Sequence, residues 1–294
     1  MEHGIRNTAM YVAGVVFLGL AWAKNKLRGY TTPNKVDRSD TEGRIEYVYD
    51  TVASWRRYFP SGFDVRDKDV LELCPGSSLG TGAILLGYGA KSYRAVDVFE
   101  LAGTESGAYF SALLDRFPED EKDQASIVRA KQLTVDMGSD LFSYRVGRNF
   151  DIPELAGHKK YDLILSCAAF EHYDDIEETI AHMSKVARSG CIAEHIVDYQ
   201  THSRWIREAD PNNIYRYSEG LYRLFSFPGQ PNRRRPVDYV RAFEANGWKN
   251  VRVINARAIA PEHLARSVAG MASPFDRPEM QMDMLSGVVI AEWP

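Results

Sequence analysis

Cysteine is scarce in this chain of 294 residues: Cys74, Cys167 and Cys191 are the only three. They are widely spaced, form no CxxC pair and cannot all pair with one another, so a reducing compartment is the simplest setting. A basic excess is missing as well. Lys and Arg number 36 against 40 Asp and Glu, a net charge of −4, and no nucleic-acid partner is expected. Internal repeats and low-complexity tracts are absent. With 45% hydrophobic and 26% charged residues, the composition excludes wholesale disorder, a collagen-like fibre and a polytopic membrane protein. The length suits one large domain or two modest ones with an ample core.

One stretch breaks the pattern. Ala9 to Ala23, AMYVAGVVFLGLAWA, carries no charge, with Arg6 before it and Lys24, Lys26 and Arg28 after it. At about 1.5 Å per residue the run is roughly 22 Å long, shorter than a hydrocarbon core of about 30 Å. It shows no polar face, which argues against an interfacial amphipathic helix. A helix apolar all round must be buried in lipid or in protein. The expectation is a membrane anchor, with docking on this or a partner protein as the alternative. A cleaved signal ending at Ala21-Trp22-Ala23 is a third reading. As an anchor, the basic C-terminal flank places the domain on the cytoplasmic face. Residues 1–29 then form an apolar helical segment and residues 30–294 a single domain.

Beyond a polar, turn-rich linker at 30–40, the chain alternates strands and helices. Ile45, Val48, Val52 and Trp55 have helical spacing. Strands are expected at 69–73, 93–98, 142–146, 161–166, 191–197, 251–254 and 285–292. Helices are expected at 80–86, 103–132 (interrupted by Pro118), 176–187 and 237–246, with Ser189-Gly190 as a breaker. Such alternation predicts an α/β fold, a doubly wound and mostly parallel seven-stranded sheet. The segment 199–236 is too long for a plain connection and is expected to form a cap. The stretch 258–284 has no assignment.

The sequence VLELCPGSSLGTG places Glu72 on the first strand and Gly76, Gly80 and Gly82 in or after the following turn. Glycines let a backbone approach a ligand, and a helix N-terminus offers free N–H groups. No GKS or GKT marks a phosphate loop. The dinucleotide pattern GxGxxG fails because Leu85 stands where its last glycine belongs, which disfavours a nicotinamide oxidoreductase. Asp97 ends the second strand, 25 residues after Glu72. An acid there can accept both hydroxyls of a ribose. The plainer alternative is a tight turn with Asp97 as a helix cap.

The motif Glu72-Leu73-Cys74-Pro75-Gly76-Ser77-Ser78-Leu79-Gly80-Thr81-Gly82 resembles motif I of class I S-adenosylmethionine-dependent methyltransferases, in particular a bacterial subgroup with ELGPG-type turns. Tyr161 to Ser166 followed by Phe170-Glu171-His172 resembles their fourth-strand motif, and His195 to Asp198, His202 and Pro231 to Arg235 resemble the same subgroup. The likeness spans about residues 30–257 and departs at Cys74, where a glycine is usual. It implies a Rossmann-like methyltransferase fold with S-adenosylmethionine as cofactor. Glu72 would orient the turn near the methionine amino group and Gly76 would lie against the methionyl and ribose portions, with Gly80 in the same turn. Asp97 would hold the ribose, Val98 or Phe99 would flank the adenine, and Asp151 would meet the adenine amino group. Ser166 and Cys167 would lie under the sulfonium. The implied acceptor is a small molecule or a glycan or lipid-linked precursor.

Three histidines fall near the expected carboxyl edge of the sheet, where ligands of such folds bind. His172, His195 and His202 are candidate bases, as histidine titrates near neutrality. The spacing His195-x2-Asp198-x3-His202 also suits a divalent metal, but a base or a structural hydrogen bond is the preferred reading and no metal is assigned. His182 and His263 read as surface residues. The aromatics Tyr199, Trp205, Tyr215, Tyr217, Tyr222, Phe225 and Phe227 suit either an acceptor platform or the core of the cap. Arg233-Arg234-Arg235 suits either an anion site or a solvated turn. The alternative to an enzyme is a non-catalytic subunit of this fold tethered to a membrane complex through residues 9–23.

Overall fold

The computed structural model describes residues 2–29, 40–102 and 105–294. The expected linker lies outside these residues except for Asp40. The chain opens with α1 (Glu2–Arg28) and α2 (Thr41–Tyr58), then β1 (Asp69–Leu73), α3 (Gly80–Gly87) and β2 (Ser92–Asp97). Next come α4 (Gly107–Asp115), α5 (Gln124–Leu133), β3 (Phe142–Val146), the short α6 (Ile152–Leu155) and β4 (Tyr161–Cys167). After a 3-10 turn at Phe170–His172 follow α7 (Ile176–Val186), β5 (Ala187–Asp198), α8 (Arg204–Arg207), α9 (Glu219–Leu224) and α10 (Pro236–Ala245). The chain ends with β6 (Lys249–Ala258), α11 (Pro261–Val268) and β7 (Met284–Glu292).

The seven strands form one sheet in the order β3-β2-β1-β4-β5-β7-β6. Five strands are parallel, and β7 runs antiparallel between β5 and β6. Every residue of β1 and β2 is buried, as parallel strands covered on both faces require. One face carries α2 to α5. The Ile45, Val48, Val52 and Trp55 stripe of α2 packs there with Val70, Leu163, Leu165 and Ile290. The other face carries α6, α7 and α10, with Leu71, Ile164, Ala193 and Val289 beneath Ile180, Met183 and Phe243. The doubly wound mostly parallel sheet is therefore as expected.

Several boundaries differ from expectation. The helical stretch 103–132 divides into α4 and α5. β5 begins at Ala187 rather than 191, since Gly190 adopts φ +78° and its N–H donates to the Trp293 carbonyl. The unassigned stretch 258–284 supplies α11 and turns that complete the cap. There Met271, Phe275 and Met282 bury against Tyr215, Tyr217 and Tyr222.

The N-terminal helix runs well beyond 9–23, and one stripe of it docks on this cap. Arg6 donates to the Ala209 carbonyl and Asn7 to the Arg266 carbonyl, while Asn213 donates to the Met10 carbonyl. Tyr11 meets Tyr217 edge-on, and Trp22 meets Phe225. Gly14 sits closest, because a Cβ there would overlap Tyr217 Oη and Asn213 Oδ1. The opposite stripe, Ile5, Val12, Val16, Leu20 and Leu27, is exposed, Ile5 at 72% and Leu27 at 86%. Among the described residues, Gly4–Arg28 is the one helix long and apolar enough to cross a membrane.

Candidate functional site

The carboxyl ends of β1, β2 and β4 open into a cavity of about 630 Å³. Its floor is the turn after β1, Cys74 to Ser78, with Thr81 of α3 behind it. One side is Asp97, Val98 and Phe99, and the other is Cys167, Ala168 and Ala169. Arg148, Asn149, Phe150, Tyr173, His172 and Gly229 complete the lining, with Phe150 beside Tyr173. Cys74, Phe150 and Ala168 all have left-handed backbones, at φ +53°, +47° and +51°. For residues with a Cβ each such conformation costs on the order of 1–2 kcal/mol. Gly76 has φ +72°, and a Cβ there would project into open space.

The turn is held from below and from the side. Glu72 is buried beneath it and accepts from Thr81 Oγ1 and Tyr93 Oη on one oxygen, each at 2.7 Å. Burial lifts its carboxyl to about 7, against the effect of these two donors. Glu105 bridges the turn to α2. It accepts from Ser78 Oγ at 2.6 Å, from the Leu79 N–H at 2.8 Å and from Arg44 at 2.7 Å. Phe150 and Tyr173 stack at 5.4 Å, and the Tyr173 hydroxyl donates to Cys74 Sγ.

Asp97 stands at the tip of β2. Oδ1 accepts from the Phe99 N–H at 3.1 Å. Oδ2 is buried and makes no hydrogen bond of its own. Desolvation raises this carboxyl to about 6, although the backbone amides of Phe99, Val98 and Gly76 favour its charged form. A buried acceptor without a donor is costly, and its residue lines the cavity.

The histidines separate. His172 lines the cavity. Its Nδ1 donates to the Gly229 carbonyl at 2.7 Å, which leaves Nε2 free. The His172 and His202 ring centroids lie 4.8 Å apart. His195 is not brought to the cavity. Its position on β5 turns it to the α7–α10 face, where Nδ1 bonds Ser166 Oγ at 2.8 Å and the ring stacks on Phe170. Burial lowers its pKa to about 3. Ser166, bonded to it, is equally remote, and Cys167 and Ala168 take its expected place. Asp151 is also turned away, because it caps α6 through the Glu154 N–H. Gly80 packs against Val48 inside the helix layer. His182, expected at the surface, lines the cavity.

Neither expectation for the arginine triplet holds in full. Arg235 is fully buried and donates to the Met280, Gln281 and Met284 carbonyls. Arg233 is buried and donates to the Tyr217 carbonyl and Glu219. They staple the cap, and Tyr215, Tyr217 and Tyr222 are its core, while Tyr199 packs with the sheet and Trp205 is exposed at 84%. The sequence reading missed Tyr173 and the α2 residues Arg44 and Tyr47 of the cavity wall. Nothing local marks them, because α2 reaches the site only through tertiary packing.

No protein-family model matches the chain, and no curated protein does. Among solved structures it is similar to a Listeria monocytogenes chain assigned provisionally as an S-adenosylmethionine-dependent methyltransferase. Identity is 16%, coverage 84% of this chain and 98% of that one, and the TM-score 0.47. It is also similar to an S-adenosylmethionine-dependent methyltransferase from Mesorhizobium loti (14% identity, 86% and 99% coverage, TM-score 0.45). A third is Haemonchus contortus phosphoethanolamine N-methyltransferase 2 in complex with S-adenosyl-L-methionine (10% identity, 90% and 61% coverage, TM-score 0.46). Likeness at this level says nothing of activity in this chain, so a functional reading rests on the cavity.

Proposed function

We propose that the chain is an S-adenosylmethionine-dependent methyltransferase acting on a small-molecule or glycan or lipid-linked acceptor. The observation that carries this is Asp97 at the tip of β2, which lines a cavity of about 630 Å³ beside the β1 turn and whose Oδ2 is buried without a hydrogen-bond partner. The residues fit the cofactor. Asp97 takes the ribose diol, and the open space over Gly76 takes the adjoining chain. Glu72 acts from beneath, fixing Thr81 and the turn. Val98 and Phe99 flank the adenine, with Asn149 and Phe150 at its edge in place of Asp151. Cys167 and Ala168 lie at the sulfur end.

When bound, the cofactor supplies a methyl group already activated on a sulfonium. The protein's part is then alignment and exclusion of water. Ala169 and Gly229, which line the cavity with His172, enclose the acceptor end. The free Nε2 of His172 meets the acceptor and can take its proton. Calorimetric titration with S-adenosylhomocysteine tests the reading, and no binding at millimolar ligand refutes it.

The exposed stripe of α1 supports membrane association, and the basic flank of Lys24, Lys26 and Arg28 supports the cytoplasmic face. The docked stripe holds the helix along the cap, so α1 lies on the membrane together with the cap. Deleting residues 1–28 and fractionating cells tests this, and unchanged membrane association refutes it. The finer likeness to the ELGPG subgroup belongs to the same proposal. A second reading, a non-catalytic subunit of a membrane complex, is favoured by one observation, Cys74 in the glycine turn. Co-purification with a membrane assembly and no cofactor binding would support it.

A further inference from the structure

The short turn after β4 buries a carboxyl group that nothing in the fold uses. Glu171 is 3% exposed, and neither of its side-chain oxygens makes a hydrogen bond. Burial raises its pKa well above the ordinary value and the Asp198 charge adds to this, while the backbone amides of Glu171 and Asp198 and the Arg207 charge favour its ionised form. That cation, Arg207, is engaged by Asp198 at 2.6 Å. Burying a carboxylate without a partner is expensive, and such groups are as a rule paired or metal-bound.

Two imidazoles share its surroundings. One ligand atom from each of Glu171, His172 and His202 falls in a group whose members all lie within 4.8 Å of one another. His172 is oriented as a metal ligand would be. The Gly229 carbonyl takes the Nδ1 proton and fixes the tautomer that leaves Nε2 as a lone-pair donor. The turn itself is pinned from the cap by Asn232. Its N–H donates to the Glu171 carbonyl at 2.7 Å, and its Nδ2 to the Phe170 and Tyr173 carbonyls at 2.8 and 2.9 Å. The metal spacing read from the sequence is not the one assembled. His195 is in the core, and Asp198 is saturated by Gln200 and Arg207.

We propose that Glu171, His172 and His202 form a binding site for one divalent transition-metal ion at the wall of the cavity. Two imidazole nitrogens and one carboxylate suit Zn²⁺ or Mn²⁺ and leave coordination positions open. His172 belongs to both the cluster and the cavity wall, so an open position faces the acceptor end. With the ion in place, Nε2 of His172 is a ligand, and an acceptor hydroxyl meets the ion in its stead. That placement rests on the methyltransferase reading; the ion site does not.

The test titrates the untagged full chain with ZnCl₂ and, separately, with MnCl₂ by calorimetry. It is repeated on Glu171→Gln and His202→Ala, with S-adenosylhomocysteine titrated against all three proteins. The expected result is one saturable site for at least one ion at micromolar or lower Kd, weakened roughly 100-fold or more in both variants. No saturable binding up to millimolar ion, or binding unchanged in both variants, overturns the proposal. Ion binding in a wild type that does not bind S-adenosylhomocysteine supports the site and removes the methyltransferase reading. Where a variant fails to fold, the Co²⁺-loaded wild type decides. Ligand-field bands of a nitrogen- and oxygen-bound ion support the site, and the spectrum of aqueous Co²⁺ overturns it.

Discussion

Replacing Asp97 with Asn separates what the carboxylate does for the fold from what it does for a ligand. Its carboxyl is raised from an ordinary 3.8 to about 6 by burial, which corresponds to roughly 3 kcal/mol at about 1.4 kcal/mol per pH unit. The sign is unfavourable to the fold. The folded state holds the proton more tightly than the unfolded chain, so the group's favourable contribution is present below pH 3.8 and lost as pH rises through 6. At pH 7.5 the charged carboxylate therefore costs the empty protein up to about 3 kcal/mol. Asp97→Asn should melt several degrees above wild type at pH 7.5, at about 2–4 °C per kcal/mol for a chain of this order of size. The difference should vanish near pH 4. Ligand binding should move the other way. A hydrogen bond to a charged acceptor contributes about 1.5–3 kcal/mol, so S-adenosylhomocysteine should bind Asp97→Asn roughly 10- to 150-fold more weakly. Its affinity for the wild type should also decline as pH falls below 6. Differential thermal melts at the two pH values and calorimetry at pH 7.5 provide both readings. A variant that melts lower at pH 7.5 and binds the ligand within twofold of wild type refutes the reasoning.

Glu194 on β5 is fully buried, both its oxygens lack partners, and burial lifts it to about 9. Its favourable contribution is lost between about pH 4.5 and 9, so Glu194→Gln should remove up to about 1.4 kcal/mol per pH unit from the decline of stability across that window. Melting curves of both proteins from pH 5 to 9 check this, and parallel profiles would count against it. His195→Ala should cost about 2–4 kcal/mol by opening a core cavity under Phe170 and Phe243, with S-adenosylhomocysteine affinity kept within a few-fold. Loss of ligand binding without loss of stability would return His195 to the site. Gly14→Leu should loosen α1 from the cap at about 1–3 kcal/mol. Limited proteolysis should then cut within residues 2–28 while the sheet domain stays intact; an unchanged cleavage pattern would show that the close approach at Gly14 is unimportant.

What could be read in the sequence was whatever local pattern fixes. β3 and the β1 turn lie where composition and glycine placement put them, and Asp97 lies at a strand tip beside the turn. The losses come from tertiary structure. β4 and β5 alternate their faces in register, so Ser166 and His195 meet in the core although each looks like an edge residue in a linear reading. Asp151 stands before Ile152-Pro153, which is the signature of a helix cap, and it caps α6. Glu171 enters the sequence only as a member of Phe170-Glu171-His172, and its burial depends on Asn232, 61 positions later, which draws its turn under the cap. The Ala9–Ala23 run seemed to lack a polar side because its inner stripe is made of small and aromatic residues. Gly14, Tyr11 and Trp22 become a docking face only once Tyr217 and Phe225 are in place. The α2 contribution, Arg44 and Tyr47, depends likewise on how a helix lies across the sheet.

Cys74 bears on whether the cavity is used at all. With φ +53° the residue occupies backbone space that favours glycine, at on the order of 1–2 kcal/mol. Its thiol packs against the core on the α6–α7 side of the sheet and accepts a hydrogen bond from the Tyr173 hydroxyl at 3.4 Å. Phe150 and Ala168 hold the same backbone conformation around the same cavity. Three such residues meeting at one opening stabilise nothing visible in the empty protein, as expected where backbone must face a ligand. Cys74→Gly should relieve the strain while losing the thiol's packing, for a net change within about 1 kcal/mol. It should leave S-adenosylhomocysteine affinity undiminished. If the wild type binds nothing and Cys74→Gly binds, the cysteine has closed an ancestral site and the non-catalytic subunit is the better account. If both bind alike, the turn tolerates cysteine and the enzyme reading stands. A tenfold loss of affinity in Cys74→Gly would show that the thiol itself meets the ligand, against the geometry argued for it.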